Sequence, residues 1–169
     1  MESLAEQASK NNELKIKWDR LKSEHPKLRA KDAADKLGVS EAELVASACD
    51  GEKVVRLTSQ WEGIFKRLEE LGKLMALTRN ESVVHEKTGV YRNVSFKAHA
   101  GLVLDEQIDL RVFHKRWGSA FALPVENPRG TLHSLQFFDK AGNAVHKIFL
   151  KDESKLDIYK DLVEQFRSD

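Results

Sequence analysis

From residue 97 to residue 150 the chain reads as strand after strand, and a run of that length leaves few folds open. Residues 108–114 form its clearest member. Side chains alternate along a strand, so Ile108, Leu110 and Val112 point toward a core while Asp109, Arg111 and Phe113 point away from it. Residues 131–138 and 144–150 are two further strands, and Lys140-Ala141-Gly142-Asn143 between them predicts a hairpin. Asn127-Pro128-Arg129-Gly130 breaks the chain just before that pair, after a strand at 120–125. Upstream, strands are expected at 54–57, 74–78, 83–86, 90–94 and 102–104.

The flanks are helical. Leu14, Trp18 and Leu21 make one apolar stripe at helical spacing, and His25-Pro26 ends that helix because the residue before proline avoids helical backbone. A second helix over 30–37 stops at Gly38, a residue suited to the position after a helix. Ser40 and Glu43 form a capping box that opens a third, running to Ala48. Asp50-Gly51 marks a turn, and 61–71 is a helix with Trp61, Ile64, Phe65 and Leu68 on one face. A last helix, from 152 or 153 to about 167, carries Leu156, Tyr159, Leu162, Val163 and Phe166. The expectation is a single α+β domain over 1–169. It has a helical subregion at 1–50, a large antiparallel sheet within 53–150, and a terminal helix at 152–168 packed on that sheet.

Charge narrows the function. With 28 basic and 27 acidic residues the net charge is +1, which offers no global attraction to nucleic acid or to an anionic membrane. The second and third helices resemble a helix-turn-helix, but residues 31–52 hold Lys31 and Lys36 against six acidic side chains, so the unit is expected to pack rather than to bind DNA. No signal peptide and no run long enough for membrane insertion are evident. The one cysteine, Cys49, fits a reducing cytoplasm and reads as a buried structural thiol. No pair among the six histidines has zinc-like spacing, and no nucleophile motif or phosphate loop stands out. A cation beside an aromatic on the outward face at Arg111 and Phe113 suits a flat, apolar, anionic ligand; an ordinary amphipathic sheet shows the same pattern.

The literal residues say more. HAGLVLD, IDLRVFHKRW, SLQFFDKAG and AVHKIFL, preceded by RNESVVHEKTGVY, resemble the first half of the cytoplasmic haem-utilisation proteins of Gram-negative bacteria. This is the HemS/HmuS/PhuS-type family, also called hemin-degrading factors, and the resemblance spans roughly residues 14–167. It implies haem as the ligand, with Arg111 over its distal face and Phe113 lining the same pocket. His85 and His99 fall in family-like blocks, VVHE and KAHAGL, and Arg79 and Arg92 with His133 are further candidates for the pocket or the propionates.

The family's usual proximal histidine and most of its propionate-binding residues belong to a second, similar half, so the axial ligand is left open here. The resemblance therefore implies a partner, either that C-terminal half-domain or a second copy in a homodimer. The more distant single-domain ChuX/HutX-type proteins pair in the second way, and their iron-ligand positions fall nearest to Arg79 and Leu102. Members are described both as haem-degrading and as haem chaperones, so no catalytic residue is assigned. The competing expectation is a non-catalytic dimerisation or interaction domain whose sheet face packs on a second domain.

Overall fold

A computed structural model describes residues 1–79, 84–98 and 100–168, apart from the side chains of Arg79 and Val84. Three helices open the chain: α1 (Leu4–Glu24), α2 (Ala30–Leu37) and α3 (Glu41–Ser47). Their ends are those the sequence marks. His25 caps α1, Gly38 leaves α2 in the left-handed region at φ 71°, and Ser40 and Glu43 close the reciprocal capping box of α3. Strand β1 (Val55–Leu57) and helix α4 (Trp61–Arg67) follow, the latter running on as a 3-10 turn over Leu68–Leu71.

The remaining strands are β2 (Lys73–Arg79), β3 (Val84–Val90), β4 (Ser95–Phe96), β5 (Gly101–Leu104), β6 (Asp109–Val112), β7 (Trp117–Asn127), β8 (Gly130–Asp139) and β9 (Ala144–Leu150). Helix α5 (Leu156–Phe166) closes the fold. The strand run resolves into two antiparallel sheets, one of six strands in the order β1-β7-β8-β9-β2-β3 and one of three in the order β4-β5-β6.

Alternation along β7 explains how the larger sheet holds two layers of helices. Ala120 and Ala122 enter a core with Phe65, Leu68, Phe137, Ile148 and Leu162, under α4 and α5. Phe121 and Leu123 enter the opposite one, with Trp18, Ala33, Leu44 and Val45 of α1 to α3. The smaller sheet joins the first core through Val103 and Val112, which are buried, and Phe96 and Leu110. Its placement is pinned at Asn93, a non-glycine residue at φ 52°, whose side-chain amide donates to the Leu104 carbonyl at 2.8 Å.

Several expectations need correcting. Residues 90–94 are not a strand: β3 continues through Gly89 to Val90, and the chain then turns into the small sheet. The strand at 108–114 is shorter, because Phe113 already leads into a 3-10 turn over His114–Arg116. The break at 127–130 is itself a hairpin, with Asn127 paired to Gly130. Cys49 is exposed rather than buried, and desolvation, more than the neighbouring Asp50, raises its thiol pKa, which leaves it unactivated. The α2–α3 pair packs against the sheet through Ala33, Ala34, Leu44 and Val45. The start of α3 is docked on the β8–β9 turn, where the Ala42 amide donates to the Gly142 carbonyl at 3.1 Å and Glu41 pairs with Lys147 of β9.

Candidate functional site on the outer face of the small sheet

Register sets the site. On the outer face of the small sheet Arg111 lies opposite Leu102, and Asp109 opposite Leu104. Ile108 and Val112 are buried and Leu110 is half-buried, whereas Asp109, Arg111 and Phe113 are exposed. Phe113 is 56% exposed and Leu104 46%, the two largest exposures of a large apolar side chain among the described residues outside α1 and the residues before it. Leaving such groups in water forgoes about 1.5–3 kcal/mol each, so the face is one that a protein keeps open at a cost. Arg111 makes no ion pair among the described residues, so neither Asp109 nor Glu106 neutralises it. A planar apolar molecule with an acceptor group could rest on Leu102, Leu104 and Phe113 and take hydrogen bonds from the free guanidinium.

The other candidates are elsewhere. Arg79 and His85 are on β2 and β3, at the far edge of the six-stranded sheet, where His85 is exposed and opposite Thr78. His99 lies outside the described residues. Arg92 is engaged with Glu69 and Asp105, each at 3.8 Å, and the half-buried His133 ring packs on Tyr159 at 5.4 Å between centroids. Among the described residues no group of acidic, histidine and cysteine side chains could hold a metal ion.

Two histidines are placed against a role as iron ligand. His146 is 2% exposed, with Nε2 at 2.7 Å from the Tyr91 hydroxyl and Nδ1 at 3.1 Å from Thr78 Oγ1, so both nitrogens are taken. His114 Nε2 donates to the Lys97 carbonyl at 3.1 Å, which ties the 3-10 turn to the β4–β5 turn and occupies the nitrogen that haem iron ordinarily takes. Beside it an open cleft of about 510 Å³ is lined by Trp61, Phe96, Lys97 and His114.

Sequence reasoning passed over Leu104 and the basic residues Lys97, Lys115 and Arg116, all exposed around the same small sheet. The HKRW run directly after Phe113 was the available signal.

Fold and site together describe an α+β domain with helices on both faces of its large sheet and a small sheet whose outer face carries Arg111 among apolar side chains. The chain belongs to the haemin-degrading HemS.ChuX domain family, whose sequence model matches residues 38–166. It is 40% identical to the hemin transport protein HmuS of Yersinia pestis over 157 residues, 92% of this chain and 45% of that protein. The crystal structure of holo-PhuS, a heme-binding protein from Pseudomonas aeruginosa, superposes with a TM-score of 0.86 at 48% identity, covering 94% of this chain and 46% of that one. The heme degrading enzyme ChuS of Escherichia coli O157:H7 gives 0.85 at 31% identity, over 94% and 48%. The chain thus spans less than half the length of these relatives. ChuX, at 15% identity and a TM-score of 0.74, shares the fold over 95% of its own length.

Proposed function

We propose that this domain forms one wall of a haem-holding site that serves haem trafficking or breakdown in the cytoplasm of a bacterium. The observation that carries the reading is an unneutralised Arg111 on the same sheet face as exposed Leu104, with exposed Phe113 directly after the strand. A porphyrin offers a flat apolar surface for the two hydrophobic side chains, and a ligand on its iron offers the acceptor that the guanidinium lacks. When bound, haem supplies the iron and oxygen chemistry; the chain supplies orientation, cover from water and a hydrogen-bond donor at Arg111. The histidines at 114 and 146 are committed to other partners, which favours an axial ligand from a second copy or from a C-terminal half-domain.

A second reading rests on the same apolar exposure: the face serves only to pack on another domain, without independent haem binding. Titration with hemin, followed by absorbance and by size-exclusion chromatography, separates the two. Haem holding predicts a saturating Soret shift near one haem per chain or per dimer. It also predicts that Arg111→Ala perturbs the band while the circular dichroism of the fold is retained. Absorbance that never saturates, or an Arg111→Ala effect on association alone, sinks the haem reading for this chain and leaves the packing one.

A further inference from the structure

We infer that a basic ridge beside the Arg111 face steers a dianionic, apolar ligand onto it, and so sets how fast the site fills rather than how tightly it holds. The inference rests on the haem-holding reading and adds to it the side from which the ligand's carboxylates approach.

The ridge is made by tertiary structure. The bond from His114 to the Lys97 carbonyl draws the β4–β5 turn against the 3-10 turn carrying Lys115 and Arg116. The Lys140 amide donates to the Arg116 carbonyl at 3.1 Å, which adds the β8–β9 turn. Three separate stretches thus bring Lys97, Lys115, Arg116 and Lys140 together, all exposed, with Lys115 and Arg116 following Phe113 closely in the chain. None of these four, nor Arg111, makes an ion pair among the described residues. On the helices, by contrast, Lys15, Lys17, Lys22, Lys31 and Lys66 each lie within 3.8 Å of a carboxylate on their own helix.

The nearby acids offset the ridge only in part. Glu62 is paired with Lys66 at 2.9 Å, while Asp139, whose Oδ1 accepts from the amides of Ala141 and Asn143 at 2.9 Å each, keeps its charge. Asp139 and Asp109 are thus two negative charges against five positive ones. On a chain of net charge +1, that local excess is the feature an approaching anion would sense.

Reach is sufficient. Five residues of extended chain span at most about 18 Å, so Arg116 is no farther than that from Arg111. The screening length is about 30 Å at ~0.01 M salt and ~8 Å at physiological strength, so steering is strong in the first condition and faint in the second. A porphyrin with two carboxylates suits this arrangement, since its apolar plate matches Phe113 and Leu104 while its charged edge faces the ridge.

The test is stopped-flow association of hemin and, in parallel, of hemin dimethyl ester, which lacks the two charges. At ~10 mM ionic strength the chain should capture hemin about tenfold faster than the ester, and the gap should close near ~1 M salt. Lys115→Gln with Arg116→Gln should lose most of that gap with the dissociation rate unchanged. Equal rates and salt slopes for the original and the double variant overturn the ridge while leaving haem binding intact. Equal salt slopes for hemin and its ester do the same. Absence of saturable hemin binding in either protein overturns the underlying reading, and the ridge with it.

Discussion

The Tyr91 hydroxyl and the His146 Nε2 atom lie 2.7 Å apart inside the first core, enclosed by Phe65, Trp117 and Phe137. With Thr78 Oγ1 at 3.1 Å on the other ring nitrogen, three strands, or the residue just beyond one, meet at a single imidazole. Burial pulls the His146 pKa down to about 3, and burial likewise drives the Tyr91 phenol well above its usual value, so both stay neutral.

Removing one partner exposes the cost of the other. Tyr91→Phe keeps the ring packing but leaves a buried nitrogen without its hydrogen bond, and is expected to destabilise the fold by about 1–3 kcal/mol. Chemical denaturation at neutral pH reads this directly; a loss below about 0.3 kcal/mol would mean the bond contributes little.

Acid should unfold the chain through the same residue. An unfolded histidine binds its proton near 6.5, whereas His146 in the fold does so only near 3. Its contribution is therefore fully present above the unfolded pKa and is lost as pH falls from 6.5 toward 3, at a limiting slope of about 1.4 kcal/mol per pH unit. Urea midpoints measured across that range should fall, and a His146→Gln variant should show a shallower dependence. Equal slopes for the two proteins would remove His146 as the cause.

Glu41 and Lys147 lie 2.5 Å apart, and the carboxylate is 4% exposed with Oε1 lacking a partner among the described residues. Lys147→Met should cost about 3–5 kcal/mol because it strands a buried charge, while the double change to Glu41→Leu and Lys147→Met should cost much less. A double-mutant cycle on denaturation free energies checks it, and additive losses would refute the coupling.

Gly142 holds φ +89°, and a Cβ there would sit 2.3 Å from Ser40 Oγ, the cap of α3. Gly142→Ala is expected to lower stability by about 2 kcal/mol or more through backbone strain and a displaced cap. The melting temperature gives the answer, and a shift within error would show that the turn can move away from α3.

The helices were legible because their ends are chemical: His25-Pro26, Gly38 and the Ser40–Glu43 box each satisfy or terminate a backbone ladder. The hairpin at Lys140–Asn143 was legible for the same kind of reason. The continuity of β3 through Gly89 was not legible, since glycine in a strand can mark close approach to another segment. A Cβ there would lie 3.0 Å from Gln107 and Ile108, which pack over it. The order of the six-stranded sheet, in which β9 pairs with β2, depends on contacts far apart in the chain that no periodicity encodes. His146 could have been found: Ile148 and Leu150 follow it at strand spacing on one apolar side of β9. At the candidate site, alternation placed Arg111 and Asp109 on one side of β6. It could not reveal that Lys97 and Lys140 come to lie beside Arg116, because those neighbours arrive from other turns.

The small sheet has strands of two, four and four residues, whereas β7 and β8 run to eleven and ten. Amide hydrogens along β5 and β6 should accordingly exchange faster than those of β7 and β8, since a short ladder opens without breaking the long one. The receiving surface and the frame would then melt as separate units. A bound guest would slow exchange on the first and leave the second as it was, so that occupancy could be read from a handful of amides.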